Sequence, residues 1–342
     1  MEIAGEETVL IDLAPLADQG IPTLPAVLDP VELCKHLAFF SGPPWQWGQL
    51  TDVRVQVLKC HSGSRCTVQI ALRTVTGAYA LIGKVYVSNG LEIYQAMKRI
   101  SQSGFGPEAE FSIPQPLAFL PELHLVVQEL VSGRLAQEFF MTGGERDYSV
   151  AAERCARWLA RFHAVAPKMG PAFDLNGYLT LLERWSRRIA DLGEPLATKA
   201  GRLFQRLEGT AAALSPVKAC AGHGSYCQTQ IILANGRVVT FDWDGHDVAD
   251  PSRDVARFVA SLKRLALGHF GSIRSLDAAV EIFLKTYAAT ARPEVELNLP
   301  FYEAATCIKL AKYEISKRPN HWRKTIMEAM LDEGLHILAP GR

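Results

Sequence analysis

The sequence carries no excess charge of either sign: 36 lysines and arginines stand against 36 aspartates and glutamates in 342 residues. That balance excludes the strongly basic footprint of a protein that grips a phosphate backbone or an anionic membrane. No nucleic acid and no membrane are therefore expected as partners. A local cationic pocket for one small anion stays compatible with it. No apolar run approaches the ~18 residues of a spanning helix. The opening MEIAGEETVLIDLAPLADQG is acidic where a secretory signal is basic. The seven cysteines (Cys34, Cys60, Cys66, Cys155, Cys220, Cys227 and Cys307) are odd in number and form no C-x-x-C pair. They match neither a disulfide framework nor a zinc ribbon, and read as reduced thiols. Together these absences predict a soluble, cytoplasmic protein.

Other signals are also missing. There is no internal repeat, no low-complexity stretch and no Gly-x-Gly-x-x-Gly. Gly77 to Lys84 superficially suggests a phosphate loop, but its glycines are one residue too far apart and no Ser or Thr follows the lysine. The nine histidines form no ligand cluster. What remains is a chain 48% apolar and 21% charged, close to the globular average. Its length suits about two domains, or one large domain in lobes, burying roughly 70% of the unfolded surface.

The first thirty or so residues read as irregular, broken by Pro15, Pro22, Pro25 and Pro30. DPVELCKHLA predicts a short helix, and Trp45 and Trp47 are expected to pack this extension onto the strand-rich region beyond it. From about 52 to 130 the pattern is mostly strand. VRVQVLKC (53–60), CTVQIALR (66–73) and AYALIGKVYV (78–87), joined by short Gly-bearing loops, predict an antiparallel meander. LEIYQAMKRIS (91–101) has Ile93, Met97 and Ile100 on one helical face. PLAFL (116–120) and LHLVVQEL (123–130) predict two further strands. After Gly133 helical spacing dominates, from RCARWLARFHAVA to the stretch 301–337. One strand island interrupts it: QIILANGRVVTFDW, where Asn235-Gly236 is a strong hairpin signal.

Segment 219–254 holds most of the chemistry. His223-Gly224 opens a polar loop, the loop feeds the hairpin, and the hairpin ends in Asp242-Trp243-Asp244. Acids at a strand's end suit a hard cation, and the Gln230 amide adds an oxygen. The competing reading makes Asp242 and Asp244 ordinary turn acids and Asp250, before Pro251, a helix cap. In the stretch 301–337, Glu303, Lys309, Lys312, Tyr313, Glu314 and Trp322 either line an acceptor cleft or, for most of them, face solvent.

The segment resembles the aminoglycoside phosphotransferase and choline kinase family, of protein-kinase-like fold. That family carries His-Gly-Asp-x-x-x-x-Asn, a hairpin, Asp-Trp or Asp-Phe, and an Asp-Pro-x-x-Asp-type helix start. Here stand His223-Gly224-Ser225, Gln230, Asp242-Trp243-Asp244, Asp250-Pro251 and Asp254. Leu159 to His163 looks like the family's Leu-His-Ala helix, Lys84 like its strand-three lysine, and VVQELVSG (126–133) like its hinge. The likeness covers about residues 50 to 335.

It implies an α+β, protein-kinase-like two-lobe fold. Residues 1–48 form an N-terminal extension packing on the small lobe, 49–130 an antiparallel β-rich lobe, and 131–342 a larger helical lobe. It implies transfer of the γ-phosphoryl group of ATP or GTP to the hydroxyl of a small molecule, with Mg2+ held by Asp242 and Gln230. The implied catalytic set is His223, Ser225 and Lys84. The implied nucleotide contacts are Lys84, Glu92 as its orienting partner, the Ser62-Gly63-Ser64 turn, and Gln128, Glu129 and Leu130.

Two positions depart from the pattern: Ser225 replaces the catalytic Asp, and Gln230 replaces the metal-binding Asn. Gln keeps the amide oxygen on a longer stem. Serine is no base at neutral pH, so an alternative reading is a catalytically impaired pseudokinase that binds nucleotide or metabolite. Asp244 or Asp247 is a candidate to substitute for the missing acid.

Overall fold

The computed structural model describes residues 20–234, 236–290, 295–315 and 321–339. Much of the early irregular segment, and Asn235 of the hairpin, lie outside them. Two short helices open the described chain, α1 (Leu24–Leu28) and α2 (Pro30–Leu37). Here the expectation of irregular structure is corrected. Pro25 and Pro30 sit in first turns, where a missing N–H costs nothing. Asp29 caps α2 through Oδ1, accepting from the Val31 N–H at 2.8 Å and the Glu32 N–H at 3.3 Å.

The chain divides into two compact units. One takes in the described residues up to Lys98 with Pro114–Val131; the other takes in Arg99–Ile113 and Ser132 onward. The first contains β1 (Leu50–His61), β2 (Arg65–Thr74), β3 (Ala78–Tyr86) and most of α3 (Leu91–Gln102). After β4 (Phe111–Ser112) of the other unit, it adds β5 (Pro116–Leu120) and β6 (Leu125–Glu129). Its sheet is antiparallel in the order β1-β2-β3-β6-β5, the predicted meander with its two later strands. One face buries Val53, Val68, Ile70, Leu72, Leu81, Val85, Leu125 and Val127 against Leu24, Leu33, Leu37 and Phe40. Trp47 stacks on Phe40 at 4.5 Å and on Tyr79 of β3 at 4.3 Å, as expected of the aromatic pair.

Strand alternation fixes Lys84. A Cβ on Gly83 would meet Leu125, Val68 and Ile70 at 2.9–3.0 Å, so Gly83 faces the core. Its neighbour Lys84 therefore points to the opposite face. It is nevertheless only 7% exposed, which rules out a solvated strand lysine.

The second unit continues with β7 (Arg134–Leu135), α4 (Ala136–Thr142), α5 (Glu145–Val165), α6 (Leu175–Ala190) and α7 (Leu196–Ala211). β8 (Cys220–Gly222), β9 (Ile231–Ala234), β10 (Arg237–Thr240) and β11 (Asp247–Ala249) come next. It closes with α8 (Ser252–Phe270), α9 (Asp277–Thr290), α10 (Val295–Ile315) and α11 (His321–Ile337). β9 and β10 pair as the expected hairpin. The hairpin is not an isolated island: β4 and β7 flank it, and β11 pairs with β8. These additions are two or three residues long, too short to leave a period-2 pattern. Among the described residues no helix is long and apolar enough to cross a membrane.

One cysteine pair corrects the sequence reading. Cys60 and Cys66 are opposed in the β1–β2 register, 4.1 Å apart at Cα, and form a disulfide. Sequence sets the two across a hairpin loop, where they read as spectators; antiparallel pairing brings opposed Cβ atoms within bridging reach. The free thiols are Cys34, half-buried, and the buried Cys155, Cys220, Cys227 and Cys307. Thiol titration of the unfolded protein should therefore count five groups before reduction and seven after it. Seven at the outset would show the β1–β2 hairpin to be unbridged.

Candidate active site

The loop after β8 is built around a backbone near-collision. Gly224 has φ +75°, and a Cβ there would lie 1.8 Å from the Gly245 carbonyl oxygen. Only glycine lets the 223–225 loop pass this close to the turn at 243–245. His223 is fully buried and packs on Trp243 at 4.7 Å. Trp243 belongs to an aromatic cluster with Phe162 at 5.2 Å, and Phe162 stacks on Trp158 of the same helix. Tyr226, next in the loop, stacks on Trp158 and donates its hydroxyl to the Cys155 carbonyl at 2.7 Å. Both flanks of the loop are thus fixed by α5.

The hydrogen bonds define the state of His223. Its Nε2 lies 3.0 Å from the Phe241 carbonyl, which can only accept, so Nε2 carries the proton. In the neutral imidazole Nδ1 is then the acceptor, and the Ser225 hydroxyl, 3.3 Å away, donates to it. Ser225 consequently turns its lone pairs away from His223. Neither candidate substitute acid bonds to Ser225. Asp247 lies against Gly222, is bonded by Arg253 Nη1, and has its carboxyl pushed up by burial, which the Arg253 charge opposes.

Asp242 and Gln230 come together. Gln230 Nε2 donates to Asp242 Oδ2 at 2.9 Å, while Gln230 Oε1 faces the Cys227 thiol at 3.5 Å. Asp242 holds φ 73° and ψ 65°, a left-handed conformation that costs a non-glycine residue of order 1–3 kcal/mol. Among the described residues no group of three His, Cys, Asp or Glu could hold a metal alone. The Asp242 carboxylate fits magnesium, which commonly takes one or two protein carboxylates with phosphate and water oxygens, and Gln230 would add its oxygen with the amide turned over. The helix-cap reading holds for Asp250: its Oδ1 accepts from the Ser252 N–H at 2.8 Å.

The nucleotide contacts expected in the first unit are spread along its strands and turns. Ser62, Gly63 and Ser64 form the exposed β1–β2 turn, with Gly63 at φ +64°. Glu92 is exposed in the first turn of α3. Gln128 is buried in β6, Glu129 ends that strand with its carboxylate on the Gln115 N–H at 3.1 Å, and Leu130 is half-buried just beyond it. In the stretch 301–337, Glu303 and Glu314 are buried in ion pairs with Lys263 and Arg264, while Tyr313 and Trp322 are exposed.

Sequence reasoning missed how the loop is anchored. Asp254, in the first turn of α8, accepts from the His223 backbone N–H at 2.6 Å and meets His163 Nε2 at 3.4 Å through the same oxygen. His163 in turn meets the Tyr287 hydroxyl of α9 at 2.7 Å through Nδ1. Burial alone would raise the Asp254 carboxyl, but the hydrogen bond and charge of His163, with His223, hold it at about 2. A carboxyl depressed below its unfolded value stabilises the fold at pH above roughly 4 and loses that contribution as pH falls towards 2. Asp254→Asn should cost about 2 kcal/mol at pH 7. Urea unfolding should show the gap narrowing below about pH 4 and closing near pH 2; a gap independent of pH would assign it to packing.

A family model described as the phosphotransferase enzyme family matches residues 88–295. No curated protein matches the chain. Among solved structures, a choline/ethanolamine kinase family protein from Mesorhizobium loti is similar at 14% identity and TM-score 0.58, over 90% of this chain and 95% of that one. Choline kinase from Cryptosporidium parvum gives 9% identity and TM-score 0.59 over the same shares. An amicoumacin kinase in complex with AMP-PNP and Ca2+ gives 12% and 0.57, over 83% of this chain and 90% of that one. At such identities the likeness is one of fold, the protein-kinase-like α+β fold. The family model spans more than half of the 342 residues, and loop, hairpin and fold agree with it: the chain belongs to the phosphotransferase enzyme family.

Proposed function

We propose that the protein transfers the γ-phosphoryl group of ATP or GTP to a hydroxyl of a small molecule. The observation that carries this reading is the pairing of a fixed acceptor, Ser225 on His223 Nδ1, with Asp242 and Gln230 in one glycine-pinned loop system. In the reaction the acceptor hydroxyl oxygen bonds to the γ-phosphorus. The bond from that phosphorus to the bridging oxygen breaks, and the nucleoside diphosphate leaves with its electrons. Phosphoryl transfer through a loose transition state needs positioning and charge stabilisation more than early proton removal.

Ser225 is suited to the positioning. Its lone pairs accept the acceptor O–H, and its own proton is already directed at His223 Nδ1. As the oxygen bonds to phosphorus, the acceptor's proton passes to Ser225 Oγ and the serine's proton passes to His223 Nδ1. Both end on named atoms and Ser225 is regenerated. Asp242 and Gln230 would hold Mg2+, which when bound supplies charge neutralisation to the phosphate oxygens. Lys84, buried on the non-core face of β3, is the proposed phosphate contact of the first unit, and Gln128 to Leu130 are the proposed backbone contacts to the base.

A second reading, a nucleotide-binding regulatory protein without efficient turnover, is favoured by Ser225 alone, because no carboxylate stands at that position. ATP, Mg2+ and a panel of hydroxylated metabolites should separate the two. The enzyme reading expects ADP above background. ADP at background with a retained rise in Tm from ATP·Mg decides for the regulatory reading. With the neutral and cationic compounds of the panel, Ser225→Asp should raise turnover on the order of 10²-fold, and Ser225→Ala should lower it, both with the nucleotide-induced Tm shift intact. An unchanged rate in both variants would mean that the proton leaves by another route.

A further inference from the structure

The second unit concentrates positive charge beside the loop of His223. Arg253 and Arg257 lie one turn apart on α8, and α10 packs along α8 and α6. The Arg253 guanidinium bonds Asp247 and covers the Phe173 ring at 3.8 Å from its centroid. Arg257 has no such partner: its Nε and Nη1 are buried without a hydrogen bond. Lys309 of α10 approaches both arginines, and burial followed by the Arg257 and Arg253 charges drives its ammonium down to about 7. Beyond it on the same helix, Lys312 lies 5.8 Å over the Trp185 ring and near Arg184 and Arg188 of α6. Among the described residues none of Arg184, Arg188, Arg257, Lys309 and Lys312 forms an ion pair with an acid.

Unpaired buried guanidinium donors and crowded like charges both cost stability. A zero-charge protein that gathers five basic side chains without acidic partners on three adjoining helices supplies the complement of an anion. The place is also defined. Asp247, held by Arg253, pairs with Gly222 immediately before His223. Asp254, one turn before Arg257's neighbour Phe258, accepts from the His223 N–H.

We propose that Arg253, Arg257 and Lys309 bind an anionic group of the phosphoryl acceptor, so that the acceptor is a small hydroxyl compound bearing a carboxylate or phosphate. The inference rests on the phosphotransferase reading for the word acceptor, but the anion site itself does not. A planar arginine fork meets either oxyanion with two parallel N–H bonds, and the lysine adds a point charge. Cationic acceptors such as amino sugars or choline would meet repulsion here.

The test begins with inorganic phosphate, titrated against the full chain at constant ionic strength with chloride as control. Wild-type protein should bind phosphate, and R257M/K309M should bind it at least tenfold more weakly. Both proteins should keep the same Tm shift with ATP·Mg. Arg257→Met alone should raise the Tm of the ligand-free protein, because it removes unpartnered buried donors. Phosphate binding that is equal in wild type and double variant overturns the proposal, as does Arg257→Met melting lower while phosphate binding stays unchanged. ADP release is then compared for lactate and glucose 6-phosphate against glucosamine and choline. Release with either anionic compound supports the proposal and tells carboxylate from phosphate; release favouring the cations overturns it. If no compound releases ADP while phosphate binding follows the variants, the anion site stands and the transferase reading fails.

Discussion

The second unit depends on one buried carboxylate. Asp254 joins the first turn of α8 to the backbone of His223 and to His163 of α5, with Tyr287 of α9 behind it. Two helices and a loop therefore share one oxygen, and His163 links a third helix to it. A buried charge persists only when its bonds outweigh desolvation, and here they do so by enough to depress the carboxyl. Once His223 is fixed, its neighbours fall into place by short steps. Its Nε2 proton is committed to Phe241, its Nδ1 orients Ser225, and its ring sets Trp243 beside Asp242.

Several strained or unpartnered groups lie around this fixed point. Asp242 holds a left-handed backbone, Gly224 passes the Gly245 carbonyl where no side chain fits, and Arg257 keeps buried donors without partners. Each would be removed by selection for stability alone. Distant ionic groups are treated oppositely: Lys263 is bonded by both Glu303 and Glu333, and Glu314 by Arg264 and Arg323. The same helices α8 and α10 thus carry both neutralised and uncompensated charges. That contrast is what separates structural charge from charge held ready for a ligand.

The fold was legible where its signals were local. The meander came from period-2 runs, the β9–β10 hairpin from Asn235-Gly236, and α5 from the spacing of Trp158, Leu159 and Phe162. The site loop came from a motif whose spacing survives in a single stretch. What escaped depends on pairing across distance. Cys60 and Cys66 flank a hairpin loop in sequence and read as spectators there, and only the register shows them close enough to bond. α1 hid behind prolines that act as breakers in mid-helix and as starters in a first turn. β4, β7, β8 and β11 are too short to have a period. In sequence Lys309 is one of six candidates for an acceptor cleft or a solvated face, and its closeness to Arg253 and Arg257 exists only once α10 lies on α8. Even the i, i+4 arginines, visible in sequence, could not show that Asp247 neutralises one of them and leaves the other.

These distant features bear on the serine. A carboxylate at position 225 would place a third negative charge among a nucleotide phosphate and Asp242. For a neutral or cationic acceptor that charge assists approach. For an anionic acceptor it opposes approach: two unit charges 4 Å apart repel by about 4 kcal/mol at an effective dielectric of 20. On the proposed reading, exchanging Asp for Ser removes that repulsion while keeping an oxygen that can accept the reacting hydroxyl, with His223 Nδ1 beside it as the proposed proton sink. On the proposed reading, the missing acid on the loop and the unpaired bases on α8 and α10 are therefore one electrostatic adjustment. Net neutrality conceals it, because neutrality constrains the sum of the charges and not their placement.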